Sequence, residues 1–129
     1  MSDVQPMLVI EELEDAIAFY RDQLGFAVDV FGHHPETGAP LIAGARLEDA
    51  SVLLTNERVF ADAGTGSGAV RLYFHLETRV DDLLDRIAGQ PGVTIVQGPT
   101  NQHWGDRTLI VRDPWGVLLV FSNPVRDAA

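Results

Sequence analysis

Residues 11–26 read Glu-Glu-Leu-Glu-Asp-Ala-Ile-Ala-Phe-Tyr-Arg-Asp-Gln-Leu-Gly-Phe. Leu13, Ala16, Ile17, Tyr20 and Leu24 recur at three- and four-residue spacing, which lines them along one helix face. Glu11, Glu12, Glu14 and Asp15 crowd the first turns, where the helix dipole favours carboxylates, and Gly25 supplies a C-terminal stop. The pattern returns in Val80, Leu83, Leu84 and Ile87, with Asp81 and Asp82 early and Gly89 after Ala88. A shift of 67 residues carries Leu13, Ile17 and Tyr20 onto Val80, Leu84 and Ile87. It also carries Gly25 onto Gly92, Val28 onto Ile95, Leu54 onto Phe121 and Asn56 onto Asn123, with no insertion. One offset that serves helix, turn and last strand argues for two copies of a single supersecondary unit.

Runs that read as strands surround each helix. Residues 4–10 precede the first helix, and 26–31, 41–47 and 51–55 follow it. Residues 69–76 precede the second, and 93–97, 108–112 and 117–122 follow it. The order is βαβββ twice, an α+β fold with one repeat at about residues 4–56 and the other at about 69–123. Between them, Gly64-Thr65-Gly66-Ser67-Gly68 has the composition of a linker. Neither copy can bury both faces of its small sheet alone, so a single domain spanning residues 1–129 is expected.

Composition narrows the function classes. With no cysteine among 129 residues, a disulfide framework, thiol catalysis and a Cys-based zinc site are excluded. No apolar stretch approaches the roughly 18 residues of a membrane span. Residues 1–8 show no basic region followed by a long apolar run, so a soluble cytoplasmic protein without a signal peptide is expected. Nine basic against nineteen acidic side chains give a net charge of −10. Such a chain repels phosphate backbones, which argues against generic nucleic-acid binding; the charge either attracts cationic ligands or simply confers solubility.

Three segments resemble the vicinal oxygen chelate superfamily, which includes glyoxalase I, extradiol dioxygenases and bleomycin-resistance proteins. They are Glu14-Asp15-Ala16-Ile17-Ala18-Phe19-Tyr20 through Leu24-Gly25-Phe26, Trp104-Gly105-Asp106-Arg107, and Asp113-Pro114-Trp115-Gly116. With the duplicated βαβββ pattern, the resemblance covers nearly the whole chain. The pairing of Trp104-Gly105-x-Arg107 with Asp113-Pro114-x-Gly116 is most similar to the bleomycin-resistance, antibiotic-binding branch. The resemblance implies an open curled sheet with a concave ligand groove, and a homodimer whose grooves are shared between subunits. Asp113-Pro114-Trp115-Gly116 itself needs no functional reading. Pro presets φ at the second turn position and Gly accepts positive φ at the fourth, closing a hairpin with a bulge.

Metal-dependent members of that superfamily hold a divalent cation with His, Gln or Glu on four strands. The resemblance places the corresponding positions at Gln5, within residues 51–54, at Arg71 and at Val120. Arg71 repels a cation and Val120 has no donor atom, so neither a metal nor another cofactor is expected. The four histidines offer no better spacing: His75 and Glu77 share a strand face, His33 and His34 are adjacent, and His103 precedes Trp104. No serine sits in a Gly-x-Ser-x-Gly elbow, and residues 64–68 lack the Lys and helix start of a phosphate-binding loop. Asp81-Asp82 reads as a solvated helix end.

Strand parity turns Arg71, Tyr73 and His75, Leu118 and Val120, and Gln5, Met7 and Val9 toward the groove. That lining, apolar and aromatic with a few polar tips, suits an organic ligand. The facing of the seventh strand stays open, because a bulge after Asp113 would shift its pairing by one residue. Trp104, expected in a loop between Gly98-Pro99 and Gly105, lies off any periodic core face. It reads as a stacking platform, as an interface anchor, or as a side chain folded onto its own domain. His103 adds an edge contact beside it, while Arg107 either holds the loop or meets the ligand.

The resemblance implies that aromatic residues at the end of the second strand cover the ligand. That points to Phe31, with His33 and His34 beside it, and a plain surface turn is the other reading. The leading expectation is a non-catalytic protein that binds and sequesters an aromatic or cationic, antibiotic-like small molecule and confers resistance. The alternative is an isomerase, lyase or dioxygenase of the superfamily, with a shifted metal site or metal-free acid–base chemistry by His75 and Tyr73.

Overall fold

The computed structural model describes residues 5–57 and 70–125. The Gly-rich stretch at 64–68 and the expected first residues of two strands, Val4 and Ala69, lie outside the described residues. The chain divides into two compact units, Met1–Ser67 and Gly68–Ala129. The first holds β1 (Met7–Val9), α1 (Leu13–Ala18), β2 (Ala27–His33), β3 (Pro40–Leu47) and β4 (Ala50–Thr55). The second holds β5 (Arg71–His75), α2 (Val80–Ile87), β6 (Thr94–Asn101), β7 (Asp106–Arg112) and β8 (Leu118–Pro124). The sheets run β1-β4-β3-β2 and β5-β8-β7-β6, with the first pair of each parallel and the others antiparallel. The duplicated βαβββ order is therefore the observed architecture.

In the first unit Leu8 stands opposite Leu54, and Ala43, Ala45 and Val52 complete a buried sheet face. Leu13, Ala16 and Ile17 of α1 are buried as well, and the helix packs on β3 and β4. The expected helix does not stay α-helical to Leu24. Residues Phe19–Gln23 form a π-helical turn, closed by the Leu24 N–H donating to the Phe19 carbonyl at 3.1 Å. The wider turn brings Phe19 and, five residues on, Leu24 to the buried side together with Tyr20. Gly25, at φ +82°, ends it, and its repeat partner Gly92 has φ +83°.

In the second unit Phe74 stands opposite Phe121, with their rings stacked at 5.2 Å. Leu109, Val111 and Leu119 extend that face, and Val80, Leu83 and Ile87 of α2 are buried along with them. Full burial of each such side chain stabilises the unit by about 1.5–3 kcal/mol. The helix is capped from outside. The Val80 N–H donates to Asn123 Oδ1 at 2.7 Å, while Asn123 Nδ2 donates to the Leu76 and Thr78 carbonyls. Asn56, its counterpart in the first repeat, does not reproduce this, for its buried Oδ1 accepts no hydrogen bond among the described residues.

Several strand boundaries depart from expectation: β1 is confined to Met7–Val9 and β5 to Arg71–His75, while β2 and β8 each run two residues further, to His33 and Pro124. β6 continues through Gly98 and Pro99 to Asn101, because it pairs only with β7 and its register is irregular between Gln97 and Thr100, where a missing proline N–H costs nothing. β7 begins at Asp106, two residues early.

The β7–β8 turn follows its expected chemistry. Asp113 is buried, its Oδ1 accepts the Trp115 and Val117 N–H groups at 2.9 Å each, and Gly116 has φ +89°. We expect Asp113→Ala to leave two donors unpaired and to lower stability by about 2–3 kcal/mol. Urea unfolding checks this: the midpoint falls at constant slope, and Asp113→Asn, which keeps an acceptor oxygen, recovers most of the loss.

Candidate ligand-binding face

The register of the second sheet settles which side chains share its helix-free side. Arg71 pairs with Leu118, Tyr73 with Val120 and His75 with Ser122. Across β8, Arg112 pairs with Leu118, Ile110 with Val120 and Thr108 with Ser122. Strand partners point the same way. One face therefore carries Arg71, Tyr73, His75, Leu118, Val120, Thr108, Ile110 and Arg112, while Leu109 and Val111 turn to α2. The facing of the seventh strand is decided by this register.

Trp104 stands in the turn between β6 and β7, where Gly105 at φ +100° closes the reversal. Its indole does not fold inward: the residue is 54% exposed, and Nε1–H donates to the Tyr73 hydroxyl at 3.0 Å. Tyr73, 42% exposed, donates in turn to Asp106 Oδ2 at 2.5 Å. Partial desolvation, reinforced by the carboxylate that accepts its proton, raises the Tyr73 pKa above the usual phenol value. The phenol thus stays protonated at neutral pH and acts as a donor. The His75 ring lies 5.1 Å from that of Tyr73, and His103 meets Trp104 edge-on at 5.1 Å. The Ser122 hydroxyl donates to the Phe74 carbonyl at 2.8 Å, so its proton is not offered to His75 Nδ1, 3.5 Å away.

Four expected site residues thus form a chain of contacts, His103 to Trp104 to Tyr73 and His75 to Tyr73, and Tyr73 links it to Asp106, which sequence reasoning passed over. Its signal was present, since Asp106 shares parity with Thr108 and Ile110 once the strand starts at 106.

Arg107 takes no part in this cluster. It faces the α2 side, where Nε and Nη2 donate to Asp81 at 2.9 Å each and Nη1 to Asn101 Oδ1 at 3.0 Å. The hollow there, about 720 Å³, is lined in part by Arg79, Asp81, Asn101, Arg107 and Asn123. The pair gives Asp81 a partner that its reading as a solvated helix end did not include.

In the first unit Met7 and Val9 share a helix-free side with Leu53 and Thr55. Phe31 falls at a register shift between Val30 and Gly32. The residue is 58% exposed, and its ring lies 3.9 Å from where a Cβ on Gly44 would stand. Gly32 is required beside it, since a Cβ there would meet Ile42 Cγ2 at 2.6 Å. His33 is exposed at the strand end, whereas His34 serves its turn: Nδ1 accepts the N–H groups of Glu36 and Thr37 at 3.1 and 3.3 Å.

The positions that the resemblance assigns to a metal do not fit one. Gln5 Nε2 donates to Ser51 Oγ at 2.6 Å, Arg71 is a cation and Val120 is apolar. Among the described residues no group of three or more His, Asp or Glu side chains is placed to hold a metal ion.

The family model described as the Glyoxalase/Bleomycin resistance protein/Dioxygenase superfamily matches residues 4–121. The chain belongs to that superfamily. An uncharacterised protein of Mycobacterium bovis is 29% identical to it over 130 residues, covering 96% of this chain and 84% of that one. A virulence protein from Salmonella typhimurium shares the superfamily fold at a TM-score of 0.70 and 22% identity, covering 97% of this chain and 98% of its own. The bleomycin-binding protein of bleomycin-producing Streptomyces verticillus, solved with copper(II)-bleomycin, does so at 0.65 and 20%, covering 98% of each chain. At these identities the likeness is one of fold. Among the described residues no helix is long and apolar enough to cross a membrane.

The Arg107 guanidinium, hydrogen-bonded to Asp81, holds that carboxyl below the usual carboxylate range. A lowered acid pKa means that the pair stabilises the fold at neutral pH and that its contribution disappears as pH falls through the Asp81 titration. Both side chains are 35% exposed, so solvent screens the pair and Asp81→Asn should cost no more than about 1 kcal/mol at pH 7. Denaturant midpoints should show the gap to wild type closing in acid.

Proposed function

We propose that this chain is a non-catalytic small-molecule-binding protein of the bleomycin-resistance-like branch. It is cytoplasmic and homodimeric, and it sequesters an aromatic or cationic, antibiotic-like ligand. One observation carries the reading: the indole and phenol rings of Trp104 and Tyr73 stand exposed on a helix-free sheet face, held by a hydrogen-bond relay that ends on Asp106. Rigid aromatic side chains tied at their polar ends present stacking surface at little entropic cost. Leu118, Val120 and Ile110 supply an apolar floor beside them.

Chemistry on the same face favours binding over turnover. A phenol that stays protonated does not abstract protons, and the Ser122 hydroxyl is committed to a carbonyl. The structural likeness to a bleomycin-binding protein is in keeping with the proposal.

A thermal-shift screen against planar antibiotics tests the reading, because a specific ligand raises the melting temperature by mass action. For a compound found this way, Trp104→Ala should weaken binding roughly ten-fold, in line with about 1–3 kcal/mol for a stacked ring. Its melting temperature should stay near that of wild type, since Trp104 is more than half exposed. Unchanged affinity combined with a fall of several degrees would remove the stacking role. Light scattering at micromolar concentration should give twice the 14.1 kDa chain mass.

A further inference from the structure

We propose that Asp106 makes this face selective for planar ligands that carry a protonated amine, with its carboxylate as the charge anchor beside the Trp104 and Tyr73 rings. The inference rests on the ligand-binding reading above and adds to it the charge of the ligand and the residue that reads it. Asp106 accepts the Tyr73 hydroxyl through Oδ2 only; among the described residues Oδ1 accepts no hydrogen bond. Asp106 is half-buried as a residue, not enclosed in the core.

Nothing on the described protein neutralises it. The described ion pairs of Arg21, Arg79 and Arg107 all go to Asp22 or Asp81. Arg107, although next in sequence, points to the opposite side of β7 and is occupied there by Asp81 and Asn101. The turn and strand thus split a motif of alternating charge, leaving the acid with the aromatic rings and sending the base away from them.

Geometry around the acid reinforces its preference. Tyr73 donates to Asp106 and accepts from Trp104, so both rings are oriented by contacts that converge on the carboxylate. Aromatic faces attract cations through their quadrupoles, and here they border a full negative charge. A ligand with a flat ring and an ammonium or amidinium group meets both demands at once. The arginines of the same face stand elsewhere. Arg71 and Arg112 share a register row with Leu118, whereas Asp106 pairs with Pro124, six residues along β8. At about 3.3 Å per residue that is about 20 Å. The chain's net charge of −10 favours the same ligand sign.

Equilibrium dialysis of the full chain at pH 7 tests the inference with three flat tricyclic probes: 9-aminoacridine, a cation; acridone, its neutral counterpart; and 9-anthracenecarboxylate, an anion. Wild type should bind 9-aminoacridine about ten-fold more tightly than acridone, with the anion weakest. Asp106→Asn, which keeps an acceptor for Tyr73, should erase that preference by weakening 9-aminoacridine about ten-fold and acridone by much less. Equal wild-type affinities, a preference for the anion, or an equal loss for both acridines in Asp106→Asn would overturn the inference and leave the aromatic-ligand reading standing. Binding of none of the three would count against both. The wild-type ratio needs no variant, so the proposal stays refutable even if Asp106→Asn fails to fold.

Discussion

Phe74 stacks on Phe121 beneath α2, and that contact pins the register of β5 on β8. Side chains alternate across a strand, so a slip of one residue would turn Phe74 to solvent and bring Tyr73 and His75 under the helix. Burying Phe74, Phe121, Leu109, Leu119 and the α2 residues at about 1.5–3 kcal/mol each outweighs the relay's hydrogen bonds, worth about 1 kcal/mol apiece. The core therefore positions the aromatic face without using any of its residues. That separation lets one scaffold change its ligand chemistry while the fold persists, which is the physical content of a superfamily with binders and enzymes on one architecture.

Elements whose determinants are local were legible in the sequence. The repeat offset located both helices and the paired glycines, and alternation in Arg71-Leu72-Tyr73-Phe74-His75 assigned its faces. Asp113-Pro114-Trp115-Gly116 announced its turn because the Asp caps amides only two and four residues on. Contacts between distant residues were not legible. Arg107 meets Asp81 across 26 residues, and Tyr73 meets Asp106 across 33. Both depend on how β7 lies against α2 and β8. Asn56 and Asn123 show the limit of the repeat itself: at the same offset Asn123 caps a helix, whereas the Asn56 Oδ1 accepts no hydrogen bond among the described residues.

Histidines illustrate a second limit. Composition offered four imidazoles, yet each has a different occupation. His34 caps its own turn, His103 packs against an indole, His75 lies against Tyr73, and His33 stands exposed at a strand end. Imidazole is a donor, an acceptor and an aromatic surface, so its role is set by neighbours that only the fold supplies. Aspartate behaves likewise here: Asp81, Asp106 and Asp113 serve an ion pair, a phenol and a turn.

Backbone and indole nitrogen–proton correlation NMR, recorded while the full chain is titrated with 9-aminoacridine, tests most directly that the helix-free face of the second sheet is the ligand site. The Trp104 Nε1–H signal should move together with the amides of Tyr73, Asp106, Ile110 and Val120, while those of Leu83 and Ile87 stay in place. Shifts confined to Val80, Asn101 and Arg107, with the Trp104 indole unmoved, would place the ligand in the hollow beside α2 and contradict the assignment.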